Sequence, residues 1–355
     1  MKEQTDETPE PNELEDWYEH HRIVADPGQS PLRIDKFLFD KLKGISRNRI
    51  QDGVKAGGIR VNDKVVKANF KVKPHHVVTV SLPYPQREGF KIIPQDIPLD
   101  IVYEDEHVLV LNKQAGLVVH PGVGNHDGTL VNALAYYFDK KDLSEEPTLR
   151  GNDQSRPYLV HRIDKDTSGL MVLGKTEQAV AALGKQFFDH TIERRYHAIV
   201  WGQPDEAEGT IDAFVGRDQR FRQKMAVYPE QEFGKHAVTH YKLIEGLYYV
   251  SLVECELETG RTHQIRVHMA SINHPLFNDE RYDGARIRKG TVFSKYKQFV
   301  QNTFAVCPRQ ALHAKVLGFE HPATKERMYF ESELPDDMQQ CLDRWRRYVE
   351  SRQKP

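Results

Sequence analysis

The chain has 355 residues, 39% hydrophobic and 29% charged, with a formal net charge of −2; at about 100–200 residues per domain this leaves room for two domains and a tail. Mean hydropathy is −0.65, and no apolar run reaches the ~20 residues that cross a bilayer, which excludes a membrane-embedded class. Cys255, Cys307 and Cys341 are far apart and form no CxxC pair, and none of the 17 histidines sits in an HExxH arrangement, so neither a disulfide framework nor a zinc site is expected.

Residues 1–30 carry a net charge of −7 and little apolar material beyond Trp17 and Tyr18. They read as an acidic, disordered tail with no apolar leader core, which suits a cytoplasmic protein. Residues 31–80 carry a net charge of +8, which calls for a polyanionic partner. Ile34, Phe37, Leu38 and Leu42 follow helical spacing. Ser46 is placed to cap a second helix through Ile50, Val54 and Lys55. Strands Ile59–Asn62 and Val77–Leu82 follow, the first closed by a turn at Asn62-Asp63-Lys64. Arg33, Lys36, Arg47, Arg49 and Lys55 share the two helices, where they can either grip an RNA backbone or form a solvated face. The pattern Ser46-Arg47, Ile50, Gly58-Ile59, Val61-Asn62 resembles the small RNA-binding domain first described in a ribosomal protein of the small subunit. Pro74-His75-His76 departs from that family's usual Gly-Asp turn. The resemblance implies an RNA-binding domain over 31–84.

Prolines 83, 85, 94 and 98 mark a linker, taken as 85–98. A larger domain, 99–350, opens with strands Ile101–Tyr103 and Val108–Leu111 and includes a helix over Thr176–Asp189. The stretch Ala285–Ala305, rich in Lys, Arg and Gln, reads as an insertion. Between the apolar runs Leu159-Val160 and Leu170–Leu173 lies a polar loop, His161–Gly169, in which Ile163 alone is apolar. Two core strands holding a charged loop suit an active site. From the residues alone a structural loop is equally open.

HRIDKDTSG, residues 161–169, resembles the H-R-L-D-x-x-T-[ST]-G signature of the RluA/RluD-type pseudouridine synthases, with Ile163 for Leu. The resemblance implies that Asp164 is the catalytic carboxylate, acting as nucleophile on the sugar, as base at C2′, or as stabiliser of charge at C1′. It implies that Arg162 replaces a flipped-out uridine in the RNA stack, since a planar cation fits there. A surface salt bridge is the plainer role for Arg162, and Asp166 is the rival carboxylate. His161 reads as a packing and hydrogen-bonding residue; Thr167 and Ser168 read as loop-fixing. RRYHAIVWG (194–202) is similar to a family strand whose tyrosine, here Tyr196, stacks on the target base and can accept its C5 proton. A core tyrosine is the alternative. In ELETGRTHQIRVHMA (256–270), Gly260 permits a tight turn and Thr262 is placed as an N-cap. Ile265, Met269 and Ile272 face the core. The family's arginine at Arg266 pairs with the catalytic aspartate; Arg261 is assigned to RNA, and Ile265 to the substrate pocket. LNKQAGLVVHPG (111–122), with Gln114 for the usual proline, and QALHAKVLGFEHP (310–322) are similar to further motifs, while FNDERYDG (277–284) matches loosely through Asn278.

The resemblance spans residues 31–325. It implies an α+β fold: a mixed, largely antiparallel central sheet with flanking helices and loops, preceded by a small helix-helix-strand RNA-binding domain. It further implies conversion of uridine to pseudouridine without cofactor, metal or ATP by a monomer. Large-subunit ribosomal RNA is the expected substrate and transfer RNA the alternative. A non-catalytic ribosome-assembly factor on the same scaffold, and a glycoside hydrolase using Asp164 and Asp166, are the competing classes.

Overall fold

A computed structural model describes residues 18–42, 47–55, 58–82, 92–121, 125, 127–140, 159–221 and 224–353. The chain divides into two units, Met1–Gly89 and Phe90–Pro355.

The first unit contains β1 (Tyr18–Val24), β2 (Leu32–Arg33), α1 (Ile34–Lys41), α2 (Arg47–Lys55), β3 (Ile59–Val61), β4 (Lys64–Val65), β5 (Lys71–Val72) and β6 (Val77–Leu82). Ile34, Phe37, Leu38 and Leu42 are buried against Ile50, Val54, Ile59 and Val78, as their helical spacing predicts. Asn62 and Asp63 both adopt positive φ, 47° and 63°. That is the backbone a tight β3–β4 hairpin requires, and Asn and Asp tolerate it. The reading of residues 1–30 as a disordered tail needs correction. Tyr18–Val24 pairs antiparallel with β6, and Ala25 is fully buried. Net charge obscured this, because an edge strand needs only backbone partners and one buried side chain. Ser46 and Trp17 lie outside the described residues.

The second unit contains β7 (Ile101–Glu104), β8 (Val108–Lys113), α3 (Leu130–Lys140), β9 (Ser168–Gly174), α4 (Glu177–Phe188), β10 (Glu193–Trp201), β11 (Glu208–Arg217), β12 (Met225–Tyr228), β13 (Lys235–Leu247), β14 (Val250–Leu257), α5 (Gln264–Ser271), α6 (Ser294–Val306), β15 (Leu312–Glu320), β16 (Arg327–Glu331) and α7 (Asp336–Gln353). Its sheet runs β12-β11-β13-β14-β10-β15-β9-β8-β7, with β16 on β15. Every pairing is antiparallel except β15–β9. The fold is therefore the α+β class with a largely antiparallel sheet. Thr176 caps α4 by accepting from the Ala179 N–H.

Three sequence readings change here. Leu159 makes a single bridge to Leu173 rather than a strand. Part of the expected linker belongs to the second unit: Gln95 N–H donates to Asn132 O, Asn132 Nδ2 donates to Ile93 O, and Ile97 packs on the core. The Ala285–Ala305 stretch holds most of α6, whose Tyr296 and Val300 are buried with Trp201, Phe277 and Trp345. A Lys- and Arg-rich composition hid a helix whose apolar positions are few and spaced for one face. Among the described residues no helix is long and apolar enough to cross a membrane.

The parallel joint is short, His313 with Ser168 and Ala314 with Gly169. Gly169 has φ +118°, and a Cβ there would lie 2.3 Å from Ala314 O. Only glycine fits, and this contact sets where the polar loop enters the sheet. Gly169→Ala should therefore cost roughly 2 kcal/mol or more. Gly184→Ala, within α4 where a Cβ meets nothing within 4 Å, should stabilise by about 0.5–1 kcal/mol. Urea unfolding midpoints at equal slope check the contrast.

Candidate active site

The loop from His161 to Thr167 is tied at every turn. His161 stacks on Phe187 with centroids 4.6 Å apart, and its Nε2 accepts from Val172 N–H at 3.0 Å. Burial first, then the Arg194 charge, lower its pKa to about 3, so the ring is neutral and packs. Thr167 N–H closes a turn onto Asp164 O. Two buried cations grip the loop from within. Lys113 Nζ donates to the carbonyls of Gln114, Leu117 and Lys165. Arg309 Nη1 donates to Asp166 O, while its Nε and Nη2 hold Asp337 at 2.6 and 2.9 Å. Burial pushes Lys113 down to about 7, against the opposing pull of Asp166 and Asp164.

This framework leaves Asp164 partly exposed. Its Oδ2 accepts from Arg266 Nη1 at 2.9 Å and faces His263 Nε2 at 3.8 Å. Among the described residues its Oδ1 accepts no hydrogen bond. Arg266, on α5, is itself locked: its Nε and Nη2 donate to Asp279 Oδ2 and Oδ1 at 2.7 and 2.9 Å. Burial works against the guanidinium's charge, but Asp279 and Asp164 outweigh it and raise its pKa. The Tyr282 ring lies under the guanidinium at 5.1 Å, and its hydroxyl meets His263 Nδ1 at 2.8 Å. Burial lowers His263 to about 4, partly offset by Asp164, so it too is neutral.

Asp164 and Arg266 line one cavity of about 480 Å³ together with His161, Arg162, Arg194, Tyr196, Arg261 and Ile265. That volume suits a nucleoside-sized ligand. Tyr196 enters from β10, which pairs with β15 and β14. It is almost buried, and burial raises its phenol's pKa, with Asp164 adding to the rise and Arg194 opposing it. Arg162 is exposed at the cavity and makes no ion pair among the described residues. Arg261 lines the cavity, and its Nε donates to His236 O at 3.0 Å, so backbone holds part of its guanidinium. Thr262 is not the cap of α5; His263, at φ 55°, is. Gly260 is not in a positive-φ turn either. Its missing Cβ clears Arg194 Nη1, which would be 2.8 Å away.

In the N-terminal unit, Arg33 and Arg47 both bind the fully buried Asp35, at 3.1 and 2.9 Å. Burial alone would raise that carboxyl; the bonds from Arg33, Arg47 and Gln51 reverse this and hold it far below the carboxylate range. Arg47 thus staples α2 to α1, Arg33 braces the start of α1, and both keep half-exposed guanidiniums. Lys36 is exposed. The side chains of Arg49 and Lys55 lie outside the described residues.

Sequence reasoning missed Asp279, His263, Tyr282, Arg309 and Asp35. The loose FNDERYDG match contained the signal for two of them. Asn278 stands at φ 58°, a left-handed backbone that asparagine tolerates, and this turn presents Asp279 to Arg266. Among the described residues no three His, Cys, Asp or Glu side chains converge as metal ligands.

Comparison with known proteins shows the family of this chain. Residues 107–271 match the family described as RNA pseudouridylate synthase, and residues 32–78 match the S4 domain. An RNA pseudouridine synthase of Bacillus subtilis, YlyB, is 44% identical over 92% of this chain and 98% of its own. The ribosomal large subunit pseudouridine synthase D of Zymomonas mobilis is 45% identical over 86% of this chain and 92% of its own. The solved structure of human RNA pseudouridylate synthase domain containing 1 shares the fold, with a TM-score of 0.50 and 23% identity over 74% of this chain and 97% of that one.

Asp279→Asn removes the charge that orients Arg266. Product formation should fall at least about tenfold while RNA affinity stays within about threefold, as single-turnover rates and equilibrium binding would read. A second prediction concerns pH. His313 is buried between Ser168 Oγ at 2.9 Å and Ser332 Oγ at 2.8 Å. Burial first, then Arg309 and Lys315, lower it to about 3. The unfolded ring titrates near 6.5, so its contribution is whole above that pH and is lost as pH falls towards 3, by up to about 1.4 kcal/mol per unit. His313→Gln should flatten the slope of unfolding free energy against pH in this window.

Proposed function

The chain belongs to the RNA pseudouridine synthase family, and from that premise we propose that it isomerises specific uridines of large-subunit ribosomal RNA with Asp164 as the reacting carboxylate. One observation carries the reading: Asp164 is bound through a single oxygen to Arg266, at 2.9 Å. The second oxygen is left for the substrate in a nucleoside-sized cavity.

The reaction breaks the N1–C1′ bond, turns the uracil, joins C5 to C1′, loses the C5 proton and gains one at N1. Nothing is gained or lost overall. What the protein must supply is an anion near C1′ and C2′, a surface for the freed base, and exclusion of water that would hydrolyse the sugar. Asp164 supplies the first, as nucleophile at C1′ or base at C2′. Tyr196 offers the second, a ring facing the same cavity. Burial keeps its phenol protonated, so it serves better as a stacking face than as the base for the C5 proton; Asp164 or water takes that proton. Arg162, exposed and without an ion pair among the described residues, fills the gap that a flipped uridine leaves in the RNA stack. Ile265 and His161 close the apolar side.

The choice of large-subunit ribosomal RNA is supported by relatives such as the Zymomonas mobilis protein, named for acting on the ribosomal large subunit, and by the basic S4 domain, whose half-exposed arginines suit a phosphate backbone. Pseudouridine mapping of large-subunit RNA from cells lacking this protein should show one or a few missing sites, restored by wild type. Asp164→Asn should restore none, while binding RNA within about tenfold of wild type. An unchanged pseudouridine map, or turnover by the Asn variant, overturns the assignment.

A further inference from the structure

We propose that Arg194 binds a phosphodiester flanking the target uridine, an inference that rests on the reading of the cavity as the uridine site. Arg194 precedes Tyr196 by two residues on β10, so both side chains leave the same face of the strand. It lines the same cavity and is 7% exposed.

Its surroundings are those of a cation lacking its anion. The other buried arginines of this region have carboxylates: Arg266 has Asp164 and Asp279, and Arg309 has Asp337. Arg194 has none among the described residues. Its Nη2 donates to the carbonyls of Leu257 and Glu258 at 3.3 and 3.0 Å, and the Glu258 carboxylate is turned to His240 at 2.7 Å. Its Nε is buried without a partner, and Nη1 donates to nothing among the described residues. The guanidinium rests on the Phe187 ring at 5.4 Å. Burial lowers its pKa from the ordinary arginine value, which measures the same unfavourable placement. Gly260 lacks the Cβ that would crowd Nη1 at 2.8 Å, so the edge of the guanidinium that carries Nη1 has room beside the cavity.

A charge held this way gains most from a ligand that is already anionic when it arrives. Uracil and ribose are neutral until the glycosidic bond breaks. A strand that delivers a flipped uridine brings a phosphate on each side of that nucleotide. The planar fork of a guanidinium fits a phosphate's paired oxygens.

The experiment uses full-length protein and an RNA hairpin carrying the uridine located by mapping. In two further hairpins the linkage on the 5′ or the 3′ side of that uridine is a neutral methylphosphonate. A 2′-fluoro on the preceding sugar prevents strand scission, and matched hairpins carry the fluorine with an ordinary phosphate. Wild type should bind one of the neutral hairpins about tenfold more weakly than its match. Arg194→Gln should bind the ordinary hairpin about tenfold more weakly and lose nothing further with the neutral one. Its slope of log affinity against log salt should fall by about one contact, and Arg194→Lys should recover most of the loss. Two results overturn the proposal: wild type indifferent to both neutral linkages, or an Arg194→Gln variant with unchanged affinity and salt slope but a slower saturated single-turnover rate. The second would place Arg194 with the base or Tyr196. Should Arg194→Gln not fold, the wild-type comparison of hairpins decides by itself. Wild type that converts no uridine anywhere removes the reading of the cavity and this inference with it.

Discussion

Arg266 stands between two carboxylates, and the geometry of the site depends on how its three nitrogens are divided. Asp279 takes Nε and Nη2 with both of its oxygens. This pairing fixes the guanidinium plane, because two parallel bonds to one buried carboxylate allow little rotation. Nη1 is left to meet Asp164 from one direction. A guanidinium with only Asp164 to hold could swing with it. Anchored on Asp279, it holds Asp164 by one oxygen and leaves the other without a hydrogen bond among the described residues. Tyr282 beneath the guanidinium and His263 beside the carboxylate complete a setting in which burial disfavours every charge except those that are paired.

The same principle works on the inner side of the loop. Lys113 and Arg309 are both buried, and each gives one donor to a main-chain carbonyl of the loop, Lys165 and Asp166, and others to carbonyls outside it. A lysine with three donors satisfied by carbonyls is a spacer as much as a charge: it sets the distance between β8 and the turn at Lys165. Arg309 extends the frame to α7 through Asp337. The C-terminal helix thereby supports a loop some 170 residues earlier in the chain. At the outer end, the close approach of Gly169 to Ala314 brings β9 beside β15, and β15 lies beside β10. Asp164 and Tyr196 face one cavity because of that strand order.

Much of this was legible in the residues. Short-range features were the clearest: the apolar spacing of α1, the helix over Thr176–Asp189, the β10 strand, and the signature loop with Asp164. Arg266 was legible through its motif. The features that were not legible share one property: each depends on a partner distant in sequence. Asp279 looks like a surface acid in FNDERYDG until Arg266 is found against it. Arg309 looks like a solvated charge beside Cys307. Arg47 looks like a free RNA contact until Asp35, fully buried on the preceding helix, is seen to hold it. Gly260 reads as a turn residue, yet the space it leaves is used by Arg194, 66 positions earlier in the chain. Composition also misled at the edges, where charged stretches concealed the strand at Tyr18–Val24 and the helix at Ser294–Val306.

The amino-acid sequence by itself determined the chemistry available: one signature carboxylate, an arginine on an amphipathic helix, a tyrosine on a core strand, and a basic module ahead of them. Periodicity and motif suffice for that, because they are properties of neighbouring residues. Only the tertiary structure decided which charges are neutralised and which are left over. Pairing energies depend on separation and burial, and both are set by strand order across the sheet. The division of Arg266 between Asp164 and Asp279, and the want of any such partner at Arg194 among the described residues, exist only once the chain has folded.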